Sequence, residues 1–518
     1  MSVWGECVDE NVNKSPVITN DLFGRLDIYA SFDEITPDNI IGELNSALVY
    51  HVQNLMQENY LYWYRRNVQP ILSRRKEVRP EIMNIVQENH ADEIVTFKNG
   101  FFLQNPAFFV SRRKGAQSKV AKLNEYLYRS GKQTADNDVV NWFHTVGKGA
   151  LYVEPNDDPD VPFLAYALDP RSAFVVYSLR PGNAPVMGVN FVVADEKALF
   201  DVYTEKYVFH LRGVTTGKMM TTEINGDFIA SAAEIVSVEP NVLGYIPIIE
   251  YRYNDINTSA FELALPMLDA LSSILSNRVD GVEQFIQSLA VAVNCNFDDG
   301  VTANEIRKAG MIVLKSVGEN KADFRILSEQ LDQQQTQTLT DYIYSQVQRI
   351  CAIPFVDRQG RSYDSTGAAA MVTSGWYQAA SAARNTEDQF KKSNRQFERI
   401  IVDILRRKGI MEISLNDFEL NLVREDTSNI QSKAQAFQTL MAAGLAPELA
   451  AKKSGVSNDP VSDMKMSEKY ITMIWGDPNK VDKAESTGNA EEKTAAEGEA
   501  KIVESDAFNG EDQIGGAV

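Results

Sequence analysis

One stretch, residues 245–294, constrains the fold of this chain more than any other. It reads YIPIIEYRYNDINTSAFELALPMLDALSSILSNRVDGVEQFIQSLAVAVN and begins with a run that is typical of a strand. A capping box follows, in which Ser259 can accept a hydrogen bond from a free backbone N–H and Glu262 can reach back to the cap. Apolar residues then recur every three or four positions, which indicates one helical face. They are Leu271, Leu275, Val279, Val282, Ile286 and Leu289.

This pattern predicts a long helix over residues 259–290. At 1.5 Å per residue its length is roughly 45 Å, whereas helices of globular domains average about 11–12 residues. Pro266 is tolerated if it falls in the first turn and bends the helix if it falls later. Periodicity alone favours a core helix of a large domain.

Length and composition exclude several classes of protein. A chain of 518 residues is long enough for more than one domain. Its net charge of −20 argues against a protein that grips nucleic acid through phosphate contacts. The sequence contains no apolar run of the roughly 20 residues that a membrane span needs, and we expect no signal peptide. The odd, widely spaced cysteines, Cys7, Cys295 and Cys351, fit a reduced compartment better than a disulfide framework or a metal site.

The order of patterns predicts several structural units. Residues 1–36 read as a partly ordered arm, and residues 37–255 as an α+β domain whose helices precede short strands rich in Val, Phe and Tyr. The units after the long helix are a small α/β insert (291–332), a helix (333–352), a loop (353–365) and a helix that Gly375 could kink and Gly409 ends (366–409). A strand (410–424), a helical region (425–475) with a helix pair at 427–455, and an acidic tail expected to be disordered (476–518) follow.

Catalytic signatures are weak throughout the sequence. The run VGKG at 146–149 lacks the first glycine and the Ser or Thr of a phosphate-binding loop. The histidines are isolated, and we expect packed or surface side chains at His51, His90, His144 and His210. The arginine-rich segment 63–75 could bind nucleic acid, although a solvated or interface surface is the commoner role of a charge run. We therefore predict no enzymatic activity and no cofactor.

Four stretches, in matching order, resemble the portal, or head–tail connector, proteins of long-tailed bacteriophages. They are residues 99–106 (NGFFLQNP), 168–177 (LDPRSAFVVY), 244–254 (GYIPIIEYRYN) and 365–369 (STGAA). The third is the most specific, because portal sequences carry a similar IP-x-IEY-x-x-N run before their first stem helix. The fourth departs from the family's SG-x-AL pattern, with Thr366 before the glycine and no leucine. The resemblance covers roughly residues 37–475.

The resemblance implies a portal-like architecture. Its parts would be an α+β wing (37–255, with strand 410–424), two stem helices (256–290 and 333–352), an α/β clip (291–332), a tunnel loop (353–365), a long kinked helix (366–409) and an α-helical crown (425–475). Candidate DNA-channel residues in the tunnel loop are Asp357, Arg358, Gln359, Arg361 and Asp364. The two arginines could touch phosphates transiently or bond to neighbouring acids.

The same resemblance implies a ring of about twelve subunits, or about thirteen when isolated, at one capsid vertex. Double-stranded DNA would pass through it without sequence specificity during packaging and ejection. The implied partners are the terminase large subunit, a head–tail adaptor protein, and the major capsid and scaffolding proteins, with no membrane. The protein would be made in the host cytoplasm and reside in the virion.

Two other hypotheses stay open. One is a structural, scaffold or adaptor protein of a virion that forms no channel, which ring formation would exclude. The other is an enzyme acting on nucleic acid, which we rank last because ligand clusters and phosphate-binding loops are lacking in the sequence.

Overall fold

The fold is described from a computed structural model of the chain. The described residues are 24–77, 80–113, 115–194, 197–216, 229–286, 289–293, 295–296, 315–316, 323–327, 333–354, 375–424, 430–457 and 459–475. The chain divides into two units, Met1–Met464 and Lys465–Val518. In the second unit the described residues, 465–475, are helical.

Helices and strands are both abundant in the described residues. The α-helices are α1 (Ile40–Arg65), α2 (His90–Phe102), α3 (Gln117–Arg129), α4 (Lys132–Val146), α5 (Leu265–Ile286), α6 (Gln333–Ile350), α7 (Trp376–Arg407), α8 (Ile430–Ala442), α9 (Pro447–Ser454) and α10 (Pro460–Trp475). The strands are β1 (Ile28–Ala30), β2 (Phe108–Ser111), β3 (Lys148–Pro155), β4 (Phe163–Leu168), β5 (Ala173–Ser178), β6 (Pro185–Ala194), β7 (Lys197–Tyr203), β8 (Tyr207–Thr216), β9 (Ile229–Pro240), β10 (Ile248–Arg252), β11 (Leu289–Val293), β12 (Cys295–Asn296), β13 (Lys315–Ser316), β14 (Asp323–Leu327) and β15 (Phe418–Asn421). This mixture confirms the predicted α+β class.

A six-stranded sheet forms one layer of the N-terminal half. Its strand order is β1-β5-β6-β7-β8-β9, and every pairing except the parallel β1–β5 pair is antiparallel. Alternate residues of β7, such as Ala198, Phe200 and Val202, are buried, as expected of a strand with one face on a core. That face packs against α1 through residues such as Leu44 and Leu48.

A second core joins the C-terminal part of the chain to the N-terminal part. The three-stranded sheet β10-β3-β4 packs with α3, α4 and α7, and Phe390 and Phe397 of α7 are completely buried there. Strand β15 returns to pair antiparallel with β2. On β10, Tyr251 donates a hydrogen bond across 3.0 Å to Asn394 of α7. The stretch around β10 is therefore tied to α7 by apolar and polar contacts.

The predicted helix over residues 259–290 is too long at both ends. A 3₁₀ turn, Glu262–Ala264, precedes α5, so Pro266 falls in the first turn of α5, where it is tolerated. Helix α5 ends at Ile286 after 22 residues, roughly 33 Å. Strand β11 follows it and pairs with β14, because its alternating Val-rich sequence LAVAV favours a strand.

The predicted helix over residues 366–409 also needs correction. Helix α7 begins at Trp376, because Gly375 has a φ of +81° and ends any continuous helix there. Gly409, with a φ of +65°, follows the end of α7 as predicted. The earlier part of the prediction, residues 366–374, lies outside the described residues.

A buried ion pair connects the turn before α5 to the N-terminal segment of the described chain. Arg25 donates to the Glu262 carboxylate, and both side chains are almost fully excluded from solvent. The same carboxylate accepts the backbone N–H groups of Gly24 at 3.1 Å and Ser259 at 2.8 Å. The second of these bonds confirms the glutamate half of the predicted capping box. The sequence did not indicate that residues 24–30 would be integrated in this way.

We expect Glu262→Gln to lower the free energy of unfolding by about 3–5 kcal/mol, because it leaves the Arg25 charge buried without its counter-charge. Urea unfolding followed by circular dichroism measures this change. Glu239→Gln, at an exposed position of β9, is the matched control and should stay within about 0.5 kcal/mol of the parent. Equal urea midpoints of unfolding for the two variants would show that this ion pair does not contribute to stability as proposed.

Candidate functional site

The candidate channel residues, Asp357, Arg358, Gln359, Arg361 and Asp364, all lie in residues 355–374, outside the described residues. The structure does describe the two ends of this segment. At its N-terminal end, α6 leads into Cys351 and Ile353, both buried in a core with α5. At its C-terminal end, α7 begins with Trp376.

The two ends of this segment are held together. The side-chain amide of Gln378, in the first turn of α7, donates a hydrogen bond across 3.1 Å to the carbonyl oxygen of Arg349 in α6. The ring of Trp376 lies 6.0 Å from Phe97 and 5.9 Å from Phe101 of α2, measured between centroids. The described residues on either side of 355–374 therefore lie next to each other. Sequence periodicity could not have identified Gln378, because it acts through a single polar contact.

Helices α5 and α6 form an antiparallel pair. Arg278 of α5 donates to Gln337 of α6 across 2.6 Å, while Leu271, earlier in α5, shares a core with Val347, later in α6. The apolar face predicted for α5 is therefore partly correct, since Leu271 is buried in this common core.

Several other apolar side chains of α5 and α6 are exposed in the single chain. Val279 and Val282 of α5 are 41% and 50% exposed, and Leu339 of α6 is 49% exposed. Tyr342 and Ile350 of α6 are exposed as well. At about 100° per residue, Leu339 and Tyr342 lie about 200° and 140° around α6 from Gln337, which faces α5. They therefore point away from α5, and the pair presents apolar side chains on two different sides.

Next to its buried leucines, such as Leu271, α5 also buries polar side chains. Ser272, Ser276 and Asp280 are spaced four residues apart, and each is almost fully buried. The segment between α1 and α2 covers them, and within it the backbone N–H of Val86 donates to the Ser276 hydroxyl across 3.0 Å. The apolar face predicted for α5 is thus not its only buried side, because hydrogen bonds satisfy a polar stripe on the same helix.

Asp280 is the centre of this polar contact. Its carboxylate accepts hydrogen bonds from Arg74 at 2.9 Å, Lys76 at 3.1 Å, and the backbone and side chain of Asn84 at 2.7 and 3.1 Å. Burial would raise the pKa of Asp280, but the donors from Asn84 and Lys76 and the nearby Arg74 charge hold this pKa below its usual value. One carboxylate therefore fixes residues 74–84, where described, to the middle of α5.

Three arginines of the arginine-rich segment make contacts within the fold. Arg74 bonds to Asp280, and Arg65 donates across 2.9 Å to Asp92 at the start of α2. The guanidinium of Arg66 lies 4.5 Å from the centre of the Tyr62 ring. These contacts favour the interpretation of this segment as a packed surface rather than a nucleic-acid patch.

The described histidines occupy packed or surface positions with ordinary partners. His51 is buried and bonds to the Arg171 carbonyl at 2.9 Å, and burial lowers its pKa to about 4. His144 is buried beside Asn99, and His210 pairs with Asp201. Among the described residues, no group of three or more His, Cys, Asp or Glu side chains could hold a metal ion. No helix in the same residues has the length and apolarity that a membrane span requires.

His90 supports α6 from the start of α2. Its ring lies 4.5 Å from the Tyr344 ring and bonds to Glu93 at 2.7 Å and Glu88 at 2.8 Å. The Tyr344 hydroxyl also donates to Glu93 across 2.7 Å. Partial burial alone would lower the pKa of His90, but the hydrogen bonds to the two glutamates outweigh it and raise this pKa above 6.5.

Asp280→Asn should lower the free energy of unfolding by about 2–3 kcal/mol, because it removes the charged acceptor of Arg74 and Lys76. Hydrogen exchange read by mass spectrometry should show faster exchange of the Asn84 and Val86 amides. Asp388→Asn, at an exposed position of α7, is the control. Unchanged exchange of these two amides would show that Asp280 does not fix this segment.

The stabilising contribution of His90 should depend on pH. Because its pKa is raised in the folded state, that contribution is fully present below about pH 6.5 and is lost as the pH rises through the folded pKa. The difference in unfolding free energy between the parent and His90→Gln should therefore shrink between about pH 5.5 and 8.5. Urea unfolding at a series of pH values measures it. A difference that stays constant over this range would contradict the assignment.

Comparison with known proteins identifies the family. The family model described as phage portal protein, SPP1 Gp6-like, matches residues 52–472, which include most of α1 and the whole of α2 to α9. A comparison with curated proteins found no match. The family match confirms the resemblance seen in the sequence and gives the chain a structural role in a bacteriophage virion. The chain belongs to the SPP1 Gp6-like family of phage portal proteins.

Proposed function

We propose that copies of this chain form a closed ring whose central channel conducts double-stranded viral DNA into the capsid and later out of it. The observation that carries this proposal is the exposure of apolar residues on two sides of the α5–α6 pair. Val279 and Val282 lie on one side, and Leu339 and Tyr342 lie on the side of α6 that faces away from α5. Two different surfaces of one element suit a head-to-tail interface, which closes into a ring by rotation.

The proposed domains of the portal follow the order of helices and strands along the chain. Residues 37–255 with 410–424 would form the wing, 256–290 and 333–352 the stem, 291–332 the clip and 425–475 the crown. The antiparallel pairing of β11 with β14 supports the clip as a separate small unit. Because such a unit is too small for a sufficient core of its own, contacts with neighbouring copies would stabilise it.

The tunnel loop, 353–365, would border the channel. Arg358 and Arg361 would contact passing DNA phosphates transiently. Their neighbours Asp357, Gln359 and Asp364 would weaken the binding of the loop to DNA. The hydrogen bond between Gln378 and Arg349 brings the two described ends of this segment together, which supports a loop between them. Twelve copies with a net charge of −20 each would carry about −240, and repulsion of phosphate by acidic groups facing the channel would let DNA slide.

The proposed partners are those that act on DNA at a capsid vertex. The clip would dock the terminase large subunit during packaging and a head–tail adaptor protein afterwards. The wing and crown would contact the major capsid and scaffolding proteins. A ring of about twelve copies, made in the host cytoplasm and then built into the virion, would serve all of these contacts.

Negative-stain electron microscopy and native mass spectrometry of the purified chain test the ring. We expect rings with a hole wide enough for a ~20 Å duplex, at a mass near twelve or thirteen chains.

Val279→Asp with Val282→Asp should raise the concentration needed for assembly at least about tenfold, because two partly exposed valines lose their burial and two charges enter the interface. Because neither side chain is buried in the single chain, its unfolding should change little.

Leu179→Asp with Val242→Asp is the matched control, because it adds the same charge at two strongly exposed apolar positions away from α5 and α6. The control should assemble like the parent. If the α5 variant also assembles like the parent, the proposed interface is wrong. If the parent fails to form rings even with a scaffolding protein present, the channel proposal is overturned and a non-channel adaptor becomes the better explanation.

A further inference from the structure

A groove of about 1470 Å³ opens in the first unit between α2, the start of α7 and the helices α8 and α9. Its volume exceeds the roughly 300–1,000 Å³ of small-molecule pockets. Part of its lining is aromatic, because Phe97 and Phe101 stack with centroids 5.7 Å apart and Trp376 lies against both. A groove of this size with an aromatic lining suits a peptide segment with an apolar anchor.

The groove is basic within an acidic chain. Five basic and three acidic residues line it, although the chain as a whole carries −20. Arg384, Lys433 and Lys452 have no acidic partner among the described residues. Arg424 bonds to Glu387 through one nitrogen, while its Nη1 is buried without a hydrogen-bond acceptor in the described part of the chain. The lining therefore offers unused positive charge to an acidic ligand.

A glycine in the groove wall provides separate support. Gly100 lies inside α2 at an exposed position, and a Cβ placed there would meet nothing within 4 Å. Glycine inside a helix costs about 1 kcal/mol relative to alanine, and no contact within the described residues requires it here. The missing side chain leaves room for the backbone of a bound segment to approach α2 closely.

We propose that this groove binds residues 1–23 of the chain. Their sequence, MSVWGECVDENVNKSPVITNDLF, contains four acidic residues, one lysine and the aromatic anchor Trp4. It therefore complements both the charge and the aromatic lining of the groove. The segment joins the fold at Gly24, whose N–H is held by Glu262. Twenty-three residues span at most about 83 Å when extended, and the covalent tether raises the effective concentration of the segment at the groove. The proposal does not depend on ring formation.

Photo-crosslinking in the full chain tests the proposal. Benzoylphenylalanine replaces Trp4, the protein is irradiated, and mass spectrometry identifies the crosslinked peptides. We expect crosslinks to α2 near Gly100, to α7 near Trp376 or to α9 near Lys452. Mixing isotopically light and heavy chains shows whether the segment binds within its own copy or to another. Crosslinks only outside the groove, or none above the level without irradiation, would overturn the proposal.

Two variants separate groove binding from general effects. Gly100→Leu fills the groove wall and should lower the crosslink yield at least about fivefold, although leucine favours the helix more than glycine does. Gly42→Leu, at an exposed glycine of α1 with equally open surroundings, is the matched control and should leave the yield unchanged. Arg384→Glu with Lys452→Glu should lower the yield about tenfold by reversing two charges. Equal yields for Gly100→Leu and Gly42→Leu would overturn the proposal.

Discussion

The ion pair between Arg25 and Glu262 holds together three parts of the chain that are far apart in sequence. Glu262 begins the turn that leads into α5, Arg25 directs the chain into β1, and the Arg25 guanidinium also donates to the Val146 carbonyl at 3.4 Å. Removing two charges from water is costly unless hydrogen bonds compensate. The Glu262 carboxylate accepts several, whereas the buried Arg25 Nε has no partner among the described residues. The sheet, α4 and the first turn of α5 therefore meet at a point where little displacement is tolerated.

Local patterns in the sequence predicted much of the fold. The helix predicted over residues 333–352 matches α6 (Gln333–Ile350) to within two residues, and the predicted α+β class is correct. The contacts between distant segments were not predictable. The parallel pairing of β1 with β5 and the hydrogen bonds of Asp280 to residues 74–84 depend on the tertiary placement of short segments, which carry no periodic signal.

The site was predicted less completely than the fold. The candidate residues at 357–364 came from a family resemblance and remain a prediction, whereas the contact that closes their segment, from Gln378 to Arg349, left no trace in the sequence pattern. The sequence pattern also did not reveal that α5 buries Asp280 while Val279 and Val282 stay partly exposed. A valine at a helical repeat normally indicates a core position, but in a protein that assembles, the same repeat can indicate a surface between copies.

The four hydrogen bonds to Asp280 also determine how α5 can move. A helix held only by apolar contacts can roll about its axis at modest cost, since one methyl group replaces another. Rolling α5 would instead separate a buried carboxylate from Arg74, Lys76 and Asn84 at once. Because of these bonds, we expect a mechanical load applied to α5 to act also on the segment that precedes α2.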